Sequence, residues 1–129
     1  MSKKILLIDD DIDIVELNRV LLTMAGYEVV TAFSGAEGLE KVVAERPDLV
    51  ILDVMMSTVG EGFEVARQIR KNQDIRHTPI LMLTGVNREH PFNLRIGPDV
   101  EWNPVDSFIE KPVQKEVLLA KVNAMLQDN

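Results

Sequence analysis

The chain has 129 residues, 46% of them hydrophobic and 27% charged, a size and composition typical of one globular domain. Its net charge of −7 argues against nonspecific binding to nucleic acid or to an anionic membrane. The absence of cysteine excludes disulfides and thiolate metal sites and is compatible with the cytoplasm. The first apolar run breaks at Asp9, too early for a signal peptide or a membrane span. We therefore expect a single cytoplasmic domain over residues 1–129, with no output domain.

Strand and helix patterns alternate from the start of the chain. The apolar run Ile5–Ile8 predicts a strand that is buried on both faces. Helical periodicity then begins at Asp11, which we interpret as the helix cap or a first-turn acid, and it ends at Gly26. Glu28–Ala32 predicts a shorter second strand.

The middle of the chain repeats this alternation. Ser34 is predicted as the N-cap of a second helix, with Glu37 at the spacing of a capping box. Pro47 stops that helix, and Leu49–Leu52 predicts the third strand. After a loop of small residues, Phe63–Lys71 predicts the third helix.

The last third of the chain is less regular. Pro79 opens a fourth strand, and the last strand centres on Phe108. Three prolines interrupt the stretch between Thr84 and Lys111, so a fourth helix there is expected to be short or distorted. The final helix is expected to bury Val117, Leu118, Ala120, Val122 and Leu126 or their neighbours. The alternation predicts a parallel sheet with helices on both faces.

Polar groups follow the predicted strands. They are Asp9 and Asp10 after the first strand, Asp53 after the third, Thr84 after the fourth and Lys111 after the last. Groups just past the carboxyl ends of parallel strands converge on one crevice. We therefore expect one small charged site built from three carboxylates, a hydroxyl and an ammonium.

The residue types in this site favour phosphoryl transfer. Crowded carboxylates repel one another and raise one another's pKa, a penalty that a hard cation such as Mg²⁺ removes. Asp53 lies where a nucleophile would, and a carboxylate can form an acyl phosphate. Lys111 and Thr84 could then bind phosphoryl oxygens. Taken singly, each is more simply a surface lysine or a strand threonine, and only the set is informative.

These residues resemble the receiver domain of two-component response regulators, over the stretch from Lys4 to Leu126. The resemblance is carried by Asp9-Asp10, Leu52-Asp53-Val54-Met55-Met56, Leu83-Thr84-Gly85, Phe108 and Lys111-Pro112. It implies a flavodoxin-like three-layer α/β/α sandwich with a five-stranded parallel sheet of order 2-1-3-4-5. It also implies a signalling protein rather than an enzyme, phosphorylated by a histidine kinase or a phosphotransfer protein.

The resemblance also implies a role for each residue. Asp53 would be the phosphoacceptor. Mg²⁺ would be held by Asp10, by Asp53, by the backbone carbonyl of Met55 and, through water, by Asp9. Thr84 and Lys111 would bind the phosphoryl group, and Thr84 and Phe108 would form the conformational switch. Met55 and Val86 would flank the approach of water, and since both are apolar, we expect slow loss of the phosphoryl group.

Some positions depart from the family pattern. Ser57 stands where the family usually has proline, and the interval from Thr84 to Lys111 is longer than usual and rich in proline. These departures affect the expected shape of the signalling face, and no reactive group is missing.

Two other functions are compatible with parts of the pattern. One is an interaction module that signals without phosphorylation, suggested by the unusual segment before Lys111. The other is a haloacid-dehalogenase-type phosphatase, suggested by Asp9 and Asp11 after a strand. That family needs an acidic pair on a strand beyond its lysine, whereas only Glu116 and Asp128 follow Lys111 here.

Overall fold

The sheet has the strand order that the sequence predicts. The computed structural model describes residues 3–53, 61–85, 105–111 and 113–127. Five parallel strands are arranged in the order β2-β1-β3-β4-β5. The strands are β1 (Lys4–Ile8), β2 (Glu28–Ala32), β3 (Leu49–Asp53), β4 (Ile80–Gly85) and β5 (Ser107–Lys111). The described helices are α1 (Ile12–Met24), α2 (Gly35–Glu45), α3 (Glu61–Lys71) and α4 (Lys115–Leu126). The flavodoxin-like fold class is confirmed.

Alternate residues of the central strands enter two separate cores. Leu6 and Ile8 of β1 lie in a cluster with Val42 of α2 and Ile69 of α3. Residues of the opposite parity, such as Ile51 of β3, lie in a cluster with buried residues of α1 and α4. Side chains of a strand alternate between faces, so a sheet covered on both sides needs apolar residues at nearly every position. This explains why the strands read as continuous apolar runs.

Local signals in the sequence set the helix ends. Asp11 caps α1, and its carboxylate accepts hydrogen bonds from the backbone N–H groups of Asp13 and Ile14 at 3.1 and 3.2 Å. Gly26 has a φ of 100°, the left-handed conformation that suits glycine after a helix. Ser34 caps α2 by accepting from the N–H of Glu37 at 3.1 Å. Each of these caps was predicted.

Three details differ from the prediction. Asp53, Thr84 and Lys111 lie within the ends of their strands, because backbone pairing continues to them. The third helix begins at Glu61, two residues earlier than predicted. On α4 the buried residues are Leu118, Val122 and Leu126, at a spacing of four. Val117 is exposed and so is Ala120, so their predicted burial is wrong: helical periodicity places them off the stripe that faces the sheet.

The irregular segment predicted to hold a short or distorted helix falls on residues 86–104, which lie outside the described part of the chain. Among the residues that are described, no helix combines the length and apolarity needed to cross a bilayer.

Candidate functional site

The predicted site residues lie at the carboxyl-terminal end of the sheet, meaning the ends of β1, β3, β4 and β5. Asp53 is the last residue of β3 and pairs with Leu83 of β4, so Thr84 is one residue further along the neighbouring strand. Lys111 is the last residue of β5 and pairs with Gly85. Asp9 directly follows β1 and donates its N–H to the carbonyl of Ala32 at 3.1 Å.

Asp53 and Lys111 form a short ion pair across this end of the sheet. The Lys111 Nζ lies 2.5 Å from Asp53 Oδ2. The Asp53 side chain is 2% exposed, whereas that of Lys111 is 27% exposed. Their strands are separated by β4, so the lysine side chain reaches across the end of that strand to Asp53. The pair therefore offers a buried carboxylate together with a cation that can still reach solvent.

Asp9 is the second buried carboxyl. It is 4% exposed, and its Oδ1 accepts a hydrogen bond from the N–H of Asp11 at 3.0 Å. Its Oδ2 is buried and has no hydrogen-bond partner within the described residues. Burial raises the pKa of Asp9 to about 7, the Asp11 N–H opposes this, and the neighbouring Asp53 carboxyl adds to it. The contact with Asp53 becomes a hydrogen bond only when Asp9 carries a proton, because two carboxylates offer no donor.

The three consecutive acids of the first loop have different positions. Asp9 is buried, while Asp10 and Asp11 are exposed and Asp11 is occupied as the α1 cap. No group of three acidic, histidine or cysteine side chains that could hold a metal ion is found among the described residues. The structure thus brings Asp9 and Asp53 together and leaves Asp10 exposed at the rim.

Thr84 and Phe108 lie toward the other face of the sheet. Thr84 is 4% exposed and has the same parity as Met82, which belongs to the core under α2 and α3. Phe108 pairs with Met82 and packs, partly buried, against that same core. The proposed switch residues are therefore close neighbours on adjacent strands, and they share a face that differs from that of the Asp53–Lys111 pair.

Met55 and Val86 lie outside the described residues, so the predicted carbonyl ligand and the predicted control of water access stay predictions.

Sequence reasoning missed two polar residues. Asn18 lies on the buried face of α1, at helical spacing from Val15 and Leu22. Glu61, the first residue of α3, accepts a hydrogen bond from the N–H of Gly35 at 3.0 Å and so caps α2 from a neighbouring helix. Asn18 could have been found as a polar residue within an apolar stripe, but nothing local marks the contact of Glu61.

Comparisons with known proteins agree on one family. The family model described as "Response regulator receiver domain" matches residues 5–123. The alkaline phosphatase synthesis transcriptional regulatory protein PhoP of Bacillus subtilis is 39% identical over 127 residues, which are 98% of this chain and 50% of that protein. Response regulator MprA of Mycobacterium ulcerans is 39% identical over 127 residues, covering 98% of this chain and 51% of that protein. The chain thus spans about half the length of these curated relatives.

Solved structures give the same result. Chemotaxis protein CheY4 of Vibrio cholerae superimposes with a TM-score of 0.79 at 32% identity, covering 98% of this chain and 100% of the other. A response regulator receiver domain protein from Clostridium thermocellum superimposes with a TM-score of 0.81 at 29% identity, covering 98% and 94%.

Proposed function

The chain belongs to the response regulator receiver domain family of two-component systems, and from that premise we propose that it accepts a phosphoryl group on Asp53. The observation that carries the proposal is the Asp53–Lys111 pair, a buried carboxylate held 2.5 Å from a partly exposed ammonium. The phosphodonor is a phosphohistidine on a histidine kinase or a phosphotransfer protein. The phosphatase alternative loses its support, because the family match covers residues 5–123.

Transfer begins with attack by an Asp53 carboxylate oxygen on phosphorus. The phosphorus–nitrogen bond of the phosphohistidine breaks, and the imidazole nitrogen keeps the electron pair and takes up a proton. The product on this chain is an acyl phosphate. Such transfers depend mainly on alignment and charge neutralisation, so the burial of Asp53 at a rigid strand end supplies the positioning.

Lys111 changes partner during this step. Before transfer it neutralises the Asp53 carboxylate, and after transfer its ammonium pairs with a phosphoryl oxygen. Thr84 donates its hydroxyl to another phosphoryl oxygen. To reach that oxygen Thr84 moves toward Asp53, which alters the packing beside Phe108 and shifts the population between two conformations of the interaction face.

The residues present fit Mg²⁺, which keeps several waters and uses one or two carboxylates. Asp53 and Asp10 would hold the ion with the Met55 carbonyl, and Asp9 would act through water. The crowding of the Asp9 and Asp53 carboxyls supports this assignment, because a cation relieves the repulsion between neighbouring carboxylates. The bound ion would neutralise charge on the carboxylates and on the phosphoryl oxygens.

The binding partners of the chain are part of the same proposal. The curated relatives include a transcriptional regulatory protein, and the chain spans about half of its length. The lack of a nucleic-acid partner, the cytoplasmic location and the absence of an output domain therefore stay predictions. We propose a kinase or phosphotransfer protein on the input side and a protein partner on the output side.

Acetyl phosphate with Mg²⁺ tests the proposal directly. Intact mass should show one added phosphoryl group on the wild type and on Asp48→Asn, a control in which an exposed acid at the opposite end of the sheet is changed. Asp53→Asn should remain unmodified. Asp10→Asn should weaken Mg²⁺ binding by calorimetry and slow the labelling of Asp53. A wild type that binds its protein partner but never gains mass would favour the phosphorylation-independent module instead.

A further inference from the structure

Helix α1 carries one polar side chain on its buried face. Val15, Asn18 and Leu22 are its buried residues, and their spacing places them on the side that faces the sheet. Asn18 is only 7% exposed. An amide in such a position costs free energy unless it is hydrogen-bonded. A polar group that reaches the Asn18 amide would therefore stabilise it.

A buried polar atom without a partner among the described residues lies beside Asn18. It belongs to Asp9, which lines the same small cavity as Asn18, together with apolar side chains from α1, β1, β3 and β4. The cavity leaves about 10 Å³ for the centre of a water molecule, roughly the minimum for one bound water. Oδ2 of Asp9 is the buried side-chain polar atom that lacks a partner in the described part of the chain. Cavities that hold water are those with polar groups in their walls, as here.

We propose that one buried water molecule bridges the Asn18 amide and Asp9 Oδ2, making Asn18 a positioning residue for the acidic site. The water donates one hydrogen bond to Oδ2. With the Asn18 amide it can donate its second hydrogen to the carbonyl oxygen or accept a hydrogen bond from the NH₂ group. The orphaned carboxylate oxygen is thereby supplied with a donor from the side of α1. Asn18 itself touches neither the phosphoryl group nor the cation.

The bridge matters for Mg²⁺, and this part of the inference rests on the proposed function. A carboxyl that is hydrogen-bonded from behind is held in one orientation, and a fixed orientation favours the binding of a cation or of its water. Replacing a residue that hydrogen-bonds to a metal ligand commonly changes the metal affinity by about 10-fold to 100-fold. We expect Asn18→Leu to weaken Mg²⁺ binding about tenfold while preserving the fold, because leucine suits the apolar face.

The first test is independent of the metal. A high-resolution crystal structure of the full chain without Mg²⁺ should show one water within hydrogen-bond distance of both Asn18 and Asp9 Oδ2. An empty cavity, or a direct contact between the two side chains, would overturn the proposal. The presence of this water does not depend on whether Asp53 can be phosphorylated. The crystallographic test can therefore fail while the proposed function stands, and the reverse also holds.

The second test measures Mg²⁺ affinity by calorimetry in a double-mutant cycle. Asn18→Leu should raise the Kd about tenfold in the wild-type background and by less than twofold in the Asp9→Asn background, since Asn18 acts through Asp9. Leu22→Met, on the same buried face but away from the cavity, should leave the Kd unchanged. An equal effect of Asn18→Leu in both backgrounds contradicts the proposal. A wild type that binds no Mg²⁺ defeats the proposed metal site, and the crystallographic result then decides on the water.

Discussion

At the amino-terminal end of the sheet, where the strands begin, charged groups are paired with donors and acceptors, whereas at the carboxyl-terminal end the pairing of the described groups is incomplete. Asp106 Oδ2, just before β5, accepts hydrogen bonds from Arg70 at 2.8 Å and from the N–H of Ile80 at 2.7 Å. The N–H of Lys4 donates to Asp48 at 2.7 Å, and its ammonium pairs with Glu45 at 3.1 Å. At the other end, Asp9 has a buried oxygen that has no partner among the described residues, and it has a neighbouring carboxyl, Asp53.

The difference shows that unfavourable electrostatic interactions in this fold lie at the carboxyl-terminal end of its sheet. Groups at the amino-terminal end tie β1, β3, β4 and β5 to their neighbours and so stabilise the sheet. At the carboxyl-terminal end the Asp9 carboxyl is kept in unfavourable surroundings, as is common where a protein must bind ions or anions. Replacing a charge should therefore have opposite consequences at the two ends.

The largest effect on stability is expected at the amino-terminal end. Asp106→Ala removes the acceptor for Arg70 and for the N–H of Ile80, a residue that is fully buried. A buried donor left unpaired costs about 1–3 kcal/mol, so urea unfolding should show a loss of about 2–3 kcal/mol. Asp53 should still be phosphorylated. Asp74→Ala, an exposed control, should change stability by less than about 0.5 kcal/mol. If Asp106→Ala lost phosphorylation of Asp53 without losing stability, the two ends of the sheet would not act independently.

Removing a carboxylate at the carboxyl-terminal end should instead stabilise the folded chain. The folded-state pKa of Asp9 is raised to about 7, above its ordinary value near 4. The carboxyl therefore costs no stability below about pH 4, costs progressively more as the pH rises, and reaches its full cost above about pH 7. Asp9→Asn should raise the free energy of unfolding by about 1–2 kcal/mol at pH 8 without Mg²⁺, and by almost nothing at pH 4. A gain that is equal at both pH values would show that ionisation of Asp9 is not its source.

A smaller effect, on signalling rather than on stability, is expected at Thr84. Thr84→Ala removes the hydroxyl proposed to bind a phosphoryl oxygen but leaves Asp53 and Lys111 in place. The variant should accept phosphate and show smaller phosphorylation-induced chemical-shift changes around Phe108. Shifts that match the wild type would separate Thr84 from the switch, and Thr31→Ala on β2 serves as a control that should behave as the wild type.

The smallest expected effect concerns the lifetime of the phosphoryl group. Met55 and Val86 are apolar and cannot orient a water molecule by hydrogen bonding. Replacing them together by Asn and Glu should speed the first-order decay of phosphorylated Asp53 several-fold. Decay no faster than in the wild type would remove these positions from the control of water access.

Much of this fold could be predicted from local patterns. Continuous apolar runs identified the strands, and Asp11, Ser34 and Gly26 identified helix ends, because caps are recognised over a few residues. The predicted site residues that the structure describes follow from one rule, that strand ends converge in a parallel sheet. Val117 was misjudged because its burial depends on how α4 is rotated against the sheet, which is a tertiary property.

The sequence by itself determined which groups could react: a set of acids, a threonine and a lysine at strand ends, in a family-specific pattern. Only the tertiary structure decided how those groups differ in burial and in their neighbours. It buried Asp9 and left Asp10 exposed, although they are neighbours in the chain, because Asp9 still pairs with Ala32 and lies against α1. It also placed Asn18, a polar residue without a motif, against the same cavity as Asp9. Burial and partner choice depend on contacts between distant segments, and such contacts leave no local mark in a sequence.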